Sequence, residues 1–476
     1  MILTATSEFQ GVVMDVVEPA VEEAERNPPR LGADGRIEFH PAYHRAGRAI
    51  WASGIVGAPA REQASLFYTL AQAGEGGHAC PVVCTAGLVR ALRTAAADEL
   101  RERFLPPLLE TDYDRAQRGA QFLTERHGGS DVGANRVEAV REDGTWRLYG
   151  EKWFCSVADA DQFVVTARPR GAAPGTAGIG CFLVPRAGGG FRIRRLKDKL
   201  GTRALATGEI EFDGAPAFPL GPLDQAFKTA VGILNTSRWL NAVGSTGLMK
   251  RAYVEASRFA REREAFGGPV SRFPLVRENL AVMRSEEAAA LASTMHLTDL
   301  VARIDEGSAS NDDVVWHRLL VNANKFVTST AATRVVRRGI ETLGGNGTIE
   351  DFSPLPRLWR DAIVFESWEG THNVLCAQVL RDVGRYDAVE LVVERAGAAD
   401  ELAARLRRSV AEPEFGALHF RRQLDELVRS VQVKALRASE PDTAELLERR
   451  HLVGGWSPEA DADYPALIDR VLGADA

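Results

Sequence analysis

Glu366-Ser-Trp-Glu369-Gly-Thr-His-Asn373 puts a carboxylate on a Trp-Glu-Gly-Thr turn. It follows a glycine-rich turn, Leu343-Gly-Gly-Asn-Gly347, and a short basic-acidic segment, Leu358-Trp-Arg-Asp361. Far upstream stands a second signature, Leu123-Thr-Glu-Arg-His-Gly-Gly-Ser-Asp131. The first stretch can supply a base. The second can supply backbone and hydroxyl donors to a large anionic cofactor, because Gly128 and Gly129 let the main chain approach a phosphate closely.

Outward from these stretches the hydrophobic period changes twice. Val12 to Ala24, Glu62 to Ala73 and Val82 to Leu92 carry apolar residues at helical spacing. Pro28-Pro29 and Gly32-Ala-Asp-Gly35 punctuate them. After about residue 118 the runs shorten and gain β-branched residues: 136–141, 145–149, 162–167, 179–184, 191–194 and 209–212. Asp143-Gly, Pro174-Gly and Asp213-Gly sit between them as turns. From about 224 the helical period returns in Ala226–Arg263, Leu275–Ala302 and Asp312–Leu343, long enough for a bundle. Residues 386–476 continue as helices, with breaks expected at Pro413, Gly416, Pro441 and Gly454-Gly455. The expected division is a helical N-domain (1–117), a β domain (118–222), a helical bundle (223–385) and a helical extension (386–476).

A chain of 476 residues is too long for one ordinary core. No apolar run reaches membrane-spanning length, and no signal peptide is read at the N-terminus. The five cysteines are scattered; Cys80 and Cys84 lack a matching second pair, so a metal site is not expected. Idle buried thiols fit a reducing, cytoplasmic location. A net charge of −7 offers no global attraction to nucleic acid or anionic membrane.

These motifs and the helix–strand–helix order resemble the acyl-CoA dehydrogenase family, and most of all its AidB-like branch. The resemblance covers about residues 40–385. It implies an α+β acyl-CoA dehydrogenase fold: helical N-domain, central β-barrel-like domain and C-terminal four-helix bundle, here with a helical C-terminal extension. It also implies one non-covalent FAD per chain and α,β-desaturation of an acyl thioester delivered on CoA or on an acyl carrier protein. Such chemistry needs a base for the α-proton, a hydride acceptor that side chains cannot supply, and donors on the thioester carbonyl.

Glu369 is the expected base. Beside Trp368, in a site dried by substrate, its pKa should rise from about 4.3 toward neutrality. Some branches carry the base on another helix; the matching position here is Ser237, which cannot serve. By resemblance, Leu123 and Thr124 meet the flavin's pyrimidine edge, Gly129 and Ser130 the pyrophosphate side, and Phe154 and Ser156 of Lys152-Trp-Phe-Cys-Ser156 the flavin face. The commoner family form has Pro where Arg126 stands. Arg263 and Phe266, in Arg263-Glu-Ala-Phe-Gly267, resemble a turn that reaches the FAD of a neighbouring subunit. Gly344 and Gly345 fit the same cross-subunit site, and Thr371 and Asn373 contact FAD just past the base. Ser130, Arg238, Trp368 and Gly370 are the expected substrate contacts, with Trp368 pointing to a restricted pocket.

The resemblance further implies a homodimer or homotetramer and an electron-transfer flavoprotein as acceptor. The extension holds 18 Asp and Glu against 12 Arg and Lys, which disfavours DNA binding, although Arg405, Arg407, Arg408, Arg421 and Arg422 cluster in sequence. Packing between subunits is the expected role of that region. Two other readings stand beside the dehydrogenase: a flavin monooxygenase or oxidase on the same fold, against which Glu369 argues, and a DNA-associated flavoprotein.

Overall fold

The computed structural model describes residues 7–473. It forms two compact units, one up to Leu240 and one from Asn241. The first opens with helices α1 (Ser7–Val12), α2 (Glu18–Arg26), α3 (Pro41–Trp51), α4 (Ala60–Ala71), α5 (Ala79–Thr94) and α6 (Asp98–Phe104). A π-helical turn over 13–17 joins α1 to α2. The Pro-Pro and Gly-rich punctuation after α2 frames a two-residue hairpin, β1 (Arg30–Leu31) with β2 (Ile37–Glu38). His78, stacked on Tyr43 at 4.1 Å, lies in the helical core. Burial pushes it down to about 3, so the neutral ring meets the Tyr43 carbonyl through Nε2 at 2.7 Å.

The β domain holds β3 (Gly119–Phe122), β4 (Glu138–Glu142), β5 (Thr145–Ser156), β6 (Gln162–Pro169), β7 (Gly180–Pro185), β8 (Phe191–Leu196) and β9 (Thr207–Pro219). Their order is β3-β6-β4-β5-β9-β7, with β8 beside β9 and β7 returning to β6, so the sheet closes on itself like a barrel. Asp143 and Gly144 both have positive φ between β4 and β5, as a two-residue hairpin turn demands. Two differences from the sequence reading stand out. The run at 145–149 continues through the Lys152–Ser156 motif as one strand, β5, interrupted by register shifts against β9. And Gly119–Phe122, too short and too evenly buried to show alternation, is a parallel partner of β6.

Helix α7 (Ala226–Glu262) leads into the second unit. There follow a hairpin of β10 (Glu264–Ala265) and β11 (Gly268–Pro269), then α8 (Pro274–Asp305), α9 (Asn311–Leu343), α10 (Leu355–Ser367) and α11 (His372–Arg385). Ser310 and Asp313 form a capping box at the start of α9, and Gly344 at φ +61 ends it. The extension adds α12 (Val389–Ala396), α13 (Asp400–Ala411), α14 (Pro413–Leu436), α15 (Pro441–His451) and α16 (Tyr464–Leu472).

The extension packs on the bundle of its own chain. Leu446, Leu467, Ile468, Val471 and Leu472 join Leu248, Met283 and Val335 in one apolar cluster. Gly416, expected to break a helix, instead lies inside α14. A Cβ there would meet the Ser409 carbonyl oxygen of α13 at 2.3 Å, so the glycine serves close helix approach. A polar tie adds to the apolar seam. Arg429 of α14 meets Glu286 of α8 at 2.7 Å, and His451 Nε2 lies 2.8 Å from the same carboxylate. Arg429 also donates to Gln432 Oε1, and Gln432 Nε2 donates to Ser293 Oγ of α8.

Burial pushes the Glu286 carboxyl up, but Arg429 and His451 outweigh it and hold the group well below the usual carboxylate range. The folded value is depressed, so the tie stabilises fully above the unfolded value near pH 4 and weakens as pH falls below it. Arg429→Met would leave this carboxylate with His451 as its one cationic partner among the ion pairs described. Urea unfolding at pH 7 is expected to show a loss of about 3–5 kcal/mol, shrinking as the pH is lowered toward 3.

Candidate active site

The Leu123–Asp131 loop of the first unit is held by a buried lysine. Lys152, on β5, is 1% exposed. Its Nζ donates to the Leu123 carbonyl at 2.9 Å, to Glu125 Oε1 at 2.8 Å, and to Asn135 Oδ1 and Thr166 Oγ1 at 3.3 Å. Burial pushes the ammonium down to about 8 against the opposing pull of Glu125. Glu125 also accepts from the N–H groups of Arg136 and Val137. The Thr124 carbonyl accepts from Trp153 N–H, which brings the loop beside β5. A Cβ on Gly129 would meet Thr124 Oγ1 at 2.4 Å, so only glycine lets the loop fold this tightly.

The register shift between Lys152 and Cys155 decides what β5 shows to solvent. Lys152 and Cys155 point inward, while Phe154 is left 56% exposed. Lys197 Nζ lies 3.5 Å from the Trp153 ring centroid and 4.9 Å from that of Phe154. Ser156 Oγ lies 3.2 Å from Thr207 Oγ1. Leu123 and Thr124 are half-buried and Ser130 is exposed. An open aromatic face, hydroxyls and close-approaching backbone form the donor and stacking set that an isoalloxazine and a diphosphate need. Arg238 is buried on α7 and donates to Asn235 Oδ1 at 3.2 Å. Ser237 Oγ, one residue before it, accepts from Gln121 Nε2 at 2.7 Å.

In the second unit the α10–α11 connection carries Trp368, Glu369, Gly370 and Thr371. Glu369 has φ +53 and Gly370 φ +106. A left-handed glutamate costs about 1–3 kcal/mol and persists only where its surroundings impose it. Lys325 of α9, fully buried, does so: its Nζ donates to the carbonyls of Glu366 at 2.9 Å and Gly370 at 3.3 Å, one on each side of Glu369. Asn241 of α7 donates through Nδ2 to the Phe365 carbonyl at 3.1 Å and to Glu369 Oε2 at 3.2 Å. Trp368 stacks on Phe365 at 5.0 Å.

His372 and Thr333 bind the Glu366 carboxylate. Burial raises that group, but these hydrogen bonds and nearby charges win and leave it below its ordinary value. Thr371 is the N-cap position of α11, with its side chain exposed. Asn373 accepts from Arg421 Nη1 of α14 at 3.0 Å. Lys152, Lys325, Asn241 and Arg421 were not read as site residues. Only Lys152, inside a quoted motif, carried any signal; a lysine or asparagine in a helix discloses nothing of its burial.

The remaining candidates sit elsewhere in this unit. Gly344 and Gly345 end α9, roughly 28 Å along the helix from Lys325 at 1.5 Å per residue. Phe266 and Gly267, both at positive φ, form the tip of the β10–β11 hairpin, with Phe266 98% exposed and Arg263 exposed just before it. Among the described residues no cluster of three or more His, Cys, Asp and Glu could hold a metal ion, and no helix is long and apolar enough to cross a membrane.

Family models match three consecutive stretches: "Adaptive response protein AidB N-terminal domain" over 13–115, "Acyl-CoA dehydrogenase, middle domain" over 120–215 and "Acyl-CoA dehydrogenase, C-terminal domain" over 225–384. The putative acyl-CoA dehydrogenase AidB of Escherichia coli is 33% identical over 425 residues, 81% of this chain and 76% of that protein. The solved structure of Caenorhabditis elegans ACDH-11 in complex with C11-CoA superposes with a TM-score of 0.84 at 26% identity, covering 96% of this chain and 87% of that one. A Bacillus anthracis acyl-CoA dehydrogenase complexed with FAD shares the fold at a TM-score of 0.77 and 20% identity, over 98% of this chain and 86% of that one.

The chain belongs to the acyl-CoA dehydrogenase family, in its AidB-like branch. It is a flavoprotein oxidoreductase; FAD is its cofactor and acyl-CoA oxidation its general chemistry. Because Lys152 ties the Thr124 loop to the strand bearing Phe154, Lys152→Met is expected to lower the flavin-to-protein absorbance ratio of purified protein. It should also cost about 3–5 kcal/mol of stability by leaving the buried Glu125 carboxylate without its lysine.

Proposed function

We propose that the protein desaturates an acyl thioester between its α and β carbons, with Glu369 as the base. The observation that carries this reading is the α10–α11 connection. There a glutamate is held left-handed between two carbonyls fixed by one buried lysine. Strain of this kind collects at working residues. The Glu369 carboxylate would take the α-proton, and by the family resemblance its backbone N–H would donate to the thioester oxygen, making that proton more acidic. Bound FAD would supply the hydride acceptor that side chains lack.

Leu123 and Thr124 would hold the pyrimidine edge of the cofactor, Phe154 and Ser156 its face, and Gly129 and Ser130 its diphosphate. Thr371 and Asn373 would add contacts beyond the base. Ser130, Arg238, Trp368 and Gly370 would line the substrate's path, with the Trp368–Phe365 stack narrowing it. Arg263, Phe266, Gly344 and Gly345 would serve the cofactor of a second copy. Two features support that: a phenylalanine almost wholly exposed at a hairpin tip, and a glycine turn about 28 Å along α9 from the loop of its own base. A homodimer or homotetramer follows from this reading, as does an electron-transfer flavoprotein as acceptor. The division at residues 117, 222 and 385 belongs to the same reading, supported by the helix–strand–helix order.

The extension fits a packing role rather than a nucleic-acid one. Arg405, Arg407 and Arg408 are each paired with a carboxylate, of Glu426, Glu390 and Glu412. Glu369→Gln keeps the shape of the base and removes its proton affinity. The variant should fold and retain FAD, yet flavin bleaching by acyl-CoA under anaerobic conditions should fall at least about 1,000-fold. Bleaching at the wild-type rate would remove Glu369 from this role.

A further inference from the structure

We propose that Asn241 is a positioning residue for this reaction: its side-chain amide aims the Glu369 carboxylate and favours its proton-accepting form. The proposal rests on Glu369 being the base. Asn241 is 4% exposed, so its donors have no water to turn to. Its Nδ2 faces two acceptors, the Phe365 carbonyl at 3.1 Å and Glu369 Oε2 at 3.2 Å. A flipped amide would set its oxygen against both, which fixes the orientation. Ser245, one helical turn further along α7, places its Oγ 3.5 Å from Asn241 Oδ1, a long contact that gives the amide oxygen its donor.

One side chain thus grips both the end of α10 and the carboxylate that follows it. A donor on the charged form of a carboxyl lowers its pKa, opposing the rise that desolvation by Trp368 and substrate imposes. The base can then be dried and still accept a proton at neutral pH. The charged groups that α9, α10, α11 and α14 bring to this connection include Lys325, Glu366, His372 and Arg421. Lys325 binds carbonyls, the Glu366 carboxylate is occupied by His372 and Thr333, and Arg421 binds Asn373. Asn241 donates to the Glu369 carboxylate from α7.

The test is the pH profile of flavin reduction by saturating acyl-CoA in stopped flow, using the FAD-loaded protein. Three variants are compared with wild type: Asn241→Leu, which keeps the branching and removes the donor; Asn241→Asp, which keeps the shape; and Glu369→Gln. Asn241→Leu should move the acid limb up by about one pH unit, making reduction about tenfold slower on the acid side and little changed on the alkaline side. Asn241→Asp should move it further, because two carboxyls then share the site. A purely structural role would lower the rate by one factor at every pH. Limbs within a few tenths of wild type would overturn the proposal, and Asn241→Asp alone decides if the leucine variant loses flavin. Glu369→Gln separates the two claims: a dead variant with unmoved Asn241 limbs removes only the role of Asn241, whereas an active one removes the base.

Discussion

A single buried side chain, Lys325, holds the connection that carries the proposed base. Its Nζ reaches out of α9 to the carbonyls of Glu366 and Gly370 and so pins both ends of the short connection that contains Glu369. Without such a clamp a left-handed glutamate would relax, since the conformation costs energy that glycine would not pay. The last turn of α10 leaves carbonyls that no intrahelical N–H can satisfy. Lys325 answers that deficit and imposes the strain with the same bonds. A helix end, normally a liability when buried, thereby becomes the means of aiming a carboxylate.

The first unit uses the same device. Lys152 carries its ammonium from β5 to the Leu123 carbonyl and to Glu125, fixing the loop that begins with Leu123 and Thr124. In both places a long flexible side chain is buried whole, and its several donors tie a segment of irregular backbone to a regular element. Loops placed this way are as precise as the strand or helix behind them. Neither lysine needs to touch cofactor or substrate. Each makes local geometry dependent on a charge held where water is scarce, so removing it leaves its partner groups unsatisfied.

The extension shows a different balance. Its apolar faces cover α7, α8 and α9, with the Arg429–Glu286–His451 tie set into the seam. The sequence revealed these helices and their acidic surplus. It did not reveal that Gly416 continues a helix rather than ending one, because a glycine that breaks and a glycine that permits close approach look alike until the neighbouring carbonyl is known. Lone arginines hid the tie in the same way, for Arg429 is one of many along a charged helix.

What the sequence determined by itself is whatever short-range pattern encodes: the helical and alternating periods, turns such as Asp143-Gly, and the motif residues with their order. Those sufficed for the α+β architecture, the family and FAD. Tertiary structure decided what depends on contacts distant in the chain. The closure of β7 onto β6 joins segments that are unremarkable alone. The register shift that turns Phe154 outward arises from pairing with β9, some fifty residues on. The left-handed state of Glu369 and its grip by Lys325 and Asn241 exist only because α7 and α9 pack beside the end of α10. Burial and hydrogen-bond partnership are properties of the packed chain, and a residue's letter carries neither.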